Sequence, residues 1–179
     1  MYRDEKTLNG NAPDEYILSR LSQISKGESK TVFDFGAGQG RNTIPVAQKG
    51  HIVHAIEINH DGLCDINNNA HNKSVKNNVK TVHQNILDSF ELTTKDDFAY
   101  MSHISQHFNK EELEQVLSNV HNVLKNGGEF VFDALVRTRK NYKKYDKLPH
   151  CLTSGYALED PEDYGSASFK REDIRPVAK

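Results

Sequence analysis

The sequence predicts an α/β fold, a three-layer α/β/α sandwich built on a mainly parallel sheet. Short β-branched and aromatic runs alternate with amphipathic stretches from residue 14 to residue 135. Such alternation makes neighbouring strands parallel and joins them by right-handed crossovers. A glycine cluster, Gly36-Ala37-Gly38-Gln39-Gly40, stands where the first strand passes into a helix. An acidic residue, Glu57, ends the second strand about twenty residues later.

Each element has a local reason. Pro13-Asp14 precedes a helical pattern with Ile17, Leu18, Leu21 and Ile24 on one face. Asp14 is placed to cap it and Lys26-Gly27 to close it. Thr31 to Phe35 is β-branched and aromatic, hence a strand. A short helix is expected from about Arg41 to Lys49; Pro45 is tolerated there because it falls in the first turn. His51 to Ile58 is the second strand and Asp61 to Lys73 the second amphipathic helix, with Leu63, Ile66 and Ala70 inward. Val79 to Ile86 and Asp97 to Met101 follow as strands. Asn109 and Glu112 form a capping-box pair ahead of Leu113, Val116, Leu117, Val120, Val123 and Leu124 at helical spacing. Asn126-Gly127-Gly128 ends that helix, and Glu129 to Val136 is the fifth strand.

A chain of 179 residues suits one domain with one core. It divides into a core over 14–136 and an irregular tail over 137–179. Lys plus Arg is 23 against 25 Asp plus Glu, a net charge of -2, so no basic excess exists to neutralise many phosphates and nucleic acid is disfavoured as a partner. The two cysteines, Cys64 and Cys151, stand far apart without a partner motif, which fits a reducing compartment and a cytoplasmic protein. The polar N-terminus does not resemble a signal peptide, and no stretch approaches the roughly eighteen apolar residues of a membrane span.

Three segments carry chemistry. In Val32-Phe-Asp-Phe-Gly-Ala-Gly-Gln-Gly-Arg-Asn42 a strand ends, glycines turn the chain and a helix begins, at the carboxyl edge where parallel sheets bind ligands. The spacing is G-x-G-x-G rather than the G-x-G-x-x-G of dinucleotide folds. Glu57 offers two carboxylate oxygens to the two hydroxyls of a ribose, without naming the nucleotide. Asn85-Ile-Leu87 and Met101 to Phe108 follow the third and fourth strands and so line the same edge. Asn85 is suited to exchange hydrogen bonds with an adenine, with Ile58 and Ile86 as apolar walls.

Together these segments resemble the class I S-adenosylmethionine-dependent methyltransferases, a Rossmann-like family. FDFGAGQGRN is similar to that family's first motif, AIEIN to its ribose-binding strand end and HQNILDSF to its adenine segment, where Asp is common and this chain has Asn85. LKNGGEF is close to the family's LKPGG phrase. The likeness covers about residues 14 to 136, and RDE near the start, GRN after the glycines and Phe169-Lys170 resemble the tellurite-resistance methyltransferases. The resemblance implies S-adenosylmethionine as cofactor, S-adenosylhomocysteine as product and a small-molecule methyl acceptor. Gly36, Ala37, Gly38 and Gly40 would approach the methionine and ribose through the backbone. Asp34 would orient that loop or reach the methionine amino group through water, and Arg41 and Asn42 would hold the cofactor carboxylate or the loop. Glu57 would take the ribose hydroxyls, Ile58, Asn85 and Ile86 would meet adenine, and Met101 and Ser102 would lie near the methionine portion.

The cofactor motif identifies no catalytic residue, because transfer from an activated sulfonium needs mainly alignment, and a base only where the acceptor is protonated at neutral pH. Among the nine histidines, His103 and His107 stand four apart near the expected methyl. No carboxylate lies between them, so no metal is expected, and an acid or base role remains open. The tail departs from the family, which continues with a helix and an antiparallel strand pair; no such pair is visible, and Ser168 to Lys179 reads as the start of a helix. An apolar fifth strand should not stay an open edge. A truncated chain, a tail folded over the edge, or a second copy in a homodimer would each answer this, with Tyr142, Tyr145, Tyr156 and Tyr164 in an acceptor site or a dimer contact. The competing readings are a non-catalytic or truncated S-adenosylmethionine binder and an NAD-dependent oxidoreductase domain.

Overall fold

A computed structural model describes residues 12–89, 95–135, 164–170 and 174. Helix α1 (Glu15–Ser25) turns Ile17 and Leu21 inward and is closed by Lys26 in the left-handed region at φ 49°. Strand β1 (Thr31–Phe35), helix α2 (Thr43–Gln48), strand β2 (Ile52–Glu57), helix α3 (His60–Asn72) and strand β3 (Val79–His83) follow. Then come strand β4 (Asp96–Met101), helix α4 (Lys110–Val123), strand β5 (Leu124–Leu135) and strand β6 (Tyr164–Lys170). The expected capping box is present: Asn109 accepts from the Glu112 N–H at 2.8 Å while the Glu112 carboxylate accepts from the Asn109 N–H at 2.9 Å.

The sheet runs in the order β3-β2-β1-β4-β5-β6. The first five strands are parallel to their neighbours. Side chains alternate across it because the strand period is two. Val32, Val53, Phe98, Tyr100 and Val131 face α1, α2 and α3, while Phe33, Phe35, Ala99, Met101, Phe130 and Phe132 face α4. This is the expected three-layer sandwich. The chain winds one way from β1 to β3 and the other from β1 to β5, so the crevice at the switch point opens between the carboxyl ends of β1 and β4.

The expectation that C-terminal antiparallel strands are absent is overturned. Strand β6 lies antiparallel to β5 from Glu129↔Lys170 to Leu135↔Tyr164. Ser168 therefore sits in a strand, not at the start of a helix, and the β5 edge is covered from within the chain. The run YGSASFK gives little sign of a strand because it has no β-branched residue and is mostly small, with a glycine, an alanine and two serines. Backbone pairing holds it, helped by Lys170 Nζ at 3.4 Å from the Glu129 carboxylate, which also receives the Arg20 guanidinium from α1. Tyr142, Tyr145 and Tyr156 lie outside the described residues.

Smaller expectations also shift. Helix α4 ends at Val123, so Leu124 and Asn126-Gly127-Gly128 belong to β5 and do not close the helix. The third strand stops at His83, leaving Asn85 and Ile86 in the turn beyond it. Asp14 occupies the N-cap position of α1 but makes no side-chain cap hydrogen bond. Its carboxylate is drawn instead to three stronger donors, described next.

Candidate functional site at the carboxyl edge of the sheet

The glycine loop hangs from the neighbouring strand. Gly36 and Ala37 donate their N–H groups to the Ile56 carbonyl at 3.0 and 2.9 Å. Gly36, Gly38 and Gly40 all hold positive φ, at 74°, 56° and 87°, a conformation an L side chain resists. A Cβ at Gly36 would stand 2.4 Å from Ile104 Cδ1, whereas one at Gly38 would meet nothing within 4 Å. The loop is thus tight against the fold at Gly36 and open at Gly38, the shape a ligand approaching the backbone requires.

Glu57 is buried at the end of β2, and its carboxylate pins two backbone segments. Oε2 accepts from the Gly38 N–H and Oε1 from the Asn59 N–H, each at 2.8 Å. Each oxygen keeps a second lone pair, so it can accept one more donor without releasing the loop. Helix α3 presses on the same loop: a Cβ on Gly62 would lie 2.5 Å from the Gly38 carbonyl oxygen. Sequence reasoning passed over Gly62; a glycine in the first turn of a helix, five residues past a ligand-type carboxylate, was the available signal.

Beside Glu57, Ile58 is 61% exposed, the one large apolar side chain on the surface among the described residues. Ile86, by contrast, is buried in the core layer with Phe33 and Met101. The Asn85 side-chain oxygen folds back onto the Leu87 N–H at 3.0 Å, an Asx turn that leaves its amide nitrogen to donate outward. Asp34 is sealed inside, accepting from the Thr43 hydroxyl at 2.5 Å and the Tyr100 hydroxyl at 2.8 Å. Burial pushes its carboxyl up to about 7. Of its two expected roles, the geometry suits orientation of the strand-to-helix turn.

Arg41, Asn42 and Ser102 converge on a residue that sequence reasoning had treated only as a cap. Asp14 Oδ2 accepts from Arg41 Nη2 at 2.8 Å, from Asn42 Nδ2 at 2.9 Å and from the Ser102 hydroxyl. The Asn42 side-chain oxygen returns a bond from the Asp14 N–H at 2.8 Å. Burial alone would raise the Asp14 carboxyl; bonds from His103, Ser102 and Asn42 and the Arg41 charge outweigh it and hold it near 2. His103, after β4, stands in the left-handed region at φ 57°. Its N–H donates to Asp133 Oδ1 at 2.6 Å, its Nδ1 lies 3.3 Å from Asp133 Oδ2, and its Nε2 lies 3.4 Å from Asp14 Oδ1. Met101, at the end of β4, is fully buried in the core layer facing α4. Asp133 was missed; it lies near the carboxyl end of β5, still paired with Ser166 of β6.

Among the described residues, no group of His, Cys, Asp and Glu is arranged to hold a metal ion. No helix among them is long and apolar enough to cross a membrane.

A switch-point crevice with a glycine loop on one side and a strand-end carboxylate on the other defines an α/β nucleotide-binding domain. A family model described as a methyltransferase domain matches residues 32–128, and the chain belongs to that family. No curated protein matches the sequence. Among solved structures, TehB from Haemophilus influenzae superposes with a TM-score of 0.64 at 21% identity, covering 75% of this chain and 45% of that one. CcbJ methyltransferase from Streptomyces caelestis gives 0.63 at 20% identity, covering 75% and 54%. The glycopeptide N-methyltransferase MtfA complexed with S-adenosyl-L-homocysteine gives 0.61 at 19% identity, covering 70% and 54%. The chain thus spans about half the length of these structures, and at such identities the likeness establishes the fold.

Proposed function

We propose that the protein binds S-adenosylmethionine across the carboxyl ends of β1, β2 and β4 and transfers its methyl group to a small-molecule acceptor, leaving S-adenosylhomocysteine. The observation that carries this reading is Glu57, buried at the end of β2 with one oxygen locked to the glycine loop at Gly38, the other to the Asn59 N–H ahead of α3, and one lone pair free on each. The residues present fit the cofactor. Gly36, Ala37, Gly38 and Gly40 give it backbone to lie against, Glu57 takes the ribose hydroxyls, and Ile58 with the outward amide of Asn85 meets the adenine. Ile58 lies next to Glu57 in the chain, so an adenine joined to a ribose held by Glu57 would cover it. Ile86 supports that wall from the core. Arg41 and Asn42 hold Asp14 and the loop, and Met101 and Ser102 floor the methionine end.

The cofactor supplies an activated methyl on a sulfonium with a neutral leaving group. What the chain supplies is alignment and exclusion of water, through a loop fixed by Ile56, Glu57 and Gly62 before any ligand arrives. Strand β6, antiparallel to β5, supports this reading over a non-catalytic or truncated binder, and by pairing the β5 edge within the chain it weakens the open-edge argument for a homodimer. The G-x-G-x-G spacing tells against an NAD-dependent oxidoreductase. A cytoplasmic location belongs to the same proposal, on the strength of cysteine usage.

Calorimetry tests it. S-adenosylmethionine and S-adenosylhomocysteine should bind in the micromolar range, and NADH should not. Glu57→Ala removes two charged hydrogen-bond acceptors, each worth about 1.5–3 kcal/mol, and should weaken binding by about 100-fold or more. Absence of heat with both sulfur ligands would refute the reading.

A further inference from the structure

A parallel sheet opens its crevice where two neighbouring strands send their chains apart. Strands β1 and β4 are paired as far as Phe35↔Met101, and beyond that register the glycine loop forms one wall and the turn from Ser102 the other. At Gly36 the two walls touch: Ile104 packs so close that a Cβ there would stand 2.4 Å from its Cδ1. A second tie is made by side chains, and it runs through a carboxylate from a third element, helix α1.

Asp14 Oδ2 accepts from Arg41 Nη2 at 2.8 Å and Asn42 Nδ2 at 2.9 Å, both on the glycine-loop wall, and from the Ser102 hydroxyl on the β4 wall. The same Arg41 nitrogen donates to Ser102 Oγ at 3.1 Å, which closes the three groups into a ring. His103, next to Ser102, brings its Nε2 within 3.4 Å of the other Asp14 oxygen.

This carboxylate does not serve its own helix. It stands at the N-cap of α1 and makes no side-chain cap hydrogen bond, although an Asp there ordinarily accepts from the first turn. The helix is docked by other means, with Ile17 and Leu21 fully buried. Asp14 also stays ionised, since its donors and the Arg41 charge outweigh burial and hold it near 2. Bonds to an ionised acceptor are roughly twice as strong as neutral ones, so one carboxylate holding donors from two loops is a firm tie.

We infer that Asp14 is a positioning residue for the methionine end of the cofactor, acting through Arg41, Asn42 and Ser102 to hold the two walls at a fixed separation. This rests on the methyl-transfer reading above. The ribose end is held independently, because Glu57 pins Gly38 and Asn59 through bonds in which Asp14 has no part. The methionine end lies over the gap between β1 and β4, so that end feels the separation. Fixed walls matter there because the methyl must meet its acceptor in line, and a misplacement of about 1 Å can cost about 100-fold in rate.

The test compares two ligands of the full chain that differ in that end. S-adenosylhomocysteine carries the amino-acid portion of methionine; 5′-methylthioadenosine keeps adenine, ribose and sulfur and lacks it. Both are measured by calorimetry near neutral pH, the weaker by displacement. Asp14→Asn keeps the shape and removes the charge; it should weaken S-adenosylhomocysteine by about tenfold or more and 5′-methylthioadenosine by less than about twofold. Ser102→Ala leaves the Asp14–Arg41 pair whole and cuts the tie to the β4 wall; it should weaken S-adenosylhomocysteine by about threefold or more with the same selectivity. Because both cut one tie, the double variant should be little worse than Asp14→Asn alone, a coupling that independent sites do not show. A merely structural Asp14 would lower Tm and weaken both ligands alike. Equal losses on the two ligands, losses that add, or unchanged affinity in the folded variants would overturn the assignment; if Asp14→Asn does not fold, Ser102→Ala decides on the same two ligands. A parent that binds S-adenosylhomocysteine no better than 5′-methylthioadenosine would overturn it as well. A parent that binds neither S-adenosylmethionine nor S-adenosylhomocysteine would overturn the reading beneath it too.

Discussion

Replacing Gly62 by alanine sets two physical effects against each other. Gly62 lies in the first turn of α3, where alanine is favoured over glycine by about 1 kcal/mol on helix propensity alone. Its new Cβ would stand 2.5 Å from the Gly38 carbonyl oxygen, 3.2 Å from the Gly38 carbonyl carbon and 3.3 Å from Glu57 Cγ. Two of those atoms are backbone of the glycine loop and cannot rotate aside, so either α3 or the loop must move by roughly half an ångström or more. Such overpacking costs about 1–3 kcal/mol. Subtracting the propensity gain leaves a net loss of about 0–2 kcal/mol, or a fall in Tm of a few degrees for a domain of about this size. The binding effect should be larger than the stability effect, because the displaced atoms are Gly38 and its Glu57 partner. We expect Gly62→Ala to weaken S-adenosylhomocysteine by about tenfold or more, since Glu57 gives up favourable geometry on two charged hydrogen bonds. Thermal unfolding and calorimetry on the same preparation measure both. A variant more stable than the parent by about 1 kcal/mol with unchanged affinity would refute the reasoning, because that is what propensity predicts when the close approach is absent.

Two further outcomes follow from buried charge. The Asp14 carboxyl is held near 2, below its ordinary 3.8, so its ionised form stabilises the fold. That contribution is present above about pH 4 and is lost as pH falls toward 2. Asp14→Asn should therefore flatten the stability curve between those values and cost about 1–2 kcal/mol near neutral pH, measured by urea unfolding across pH. Arg20→Met takes a cation from Glu129, which is 2% exposed, and leaves Lys170 at 3.4 Å. Because Arg20 itself is partly in water, the loss should be about 1–3 kcal/mol, below that for a fully buried pair, and Glu129→Met in the same background should recover most of it in a double-mutant cycle.

Much of this protein could be read along the chain. The parallel core is legible because strand and helix periods differ and boundary signals mark several elements, such as the stop at Lys26-Gly27 after α1 and the start at Asn109 with Glu112 before α4. Gly36 to Gly40 and Glu57 are legible because the carboxyl edge of a parallel sheet is the one place where a strand-end residue faces a crevice. Strand β6 was not legible, since YGSASFK has no β-branched residue and its pairing partner β5 lies far back in the chain. Asp14 shows the converse error. Its cap position was read correctly, but a carboxylate bonds the strongest donors within reach, and Arg41, Asn42 and Ser102 are brought there only by the fold.

By itself, then, the sequence determined the order and direction of the parallel strands, the turn that receives a ligand and the carboxylate that faces it, because those depend on local period and on residues near one another in the chain. The tertiary structure decided the closing of the sheet by β6, the pressure of Gly62 on Gly38, and the meeting of Asp14, His103 and Asp133. Each of these joins groups from different elements, and a contact between distant segments leaves no period in a sequence from which to read it.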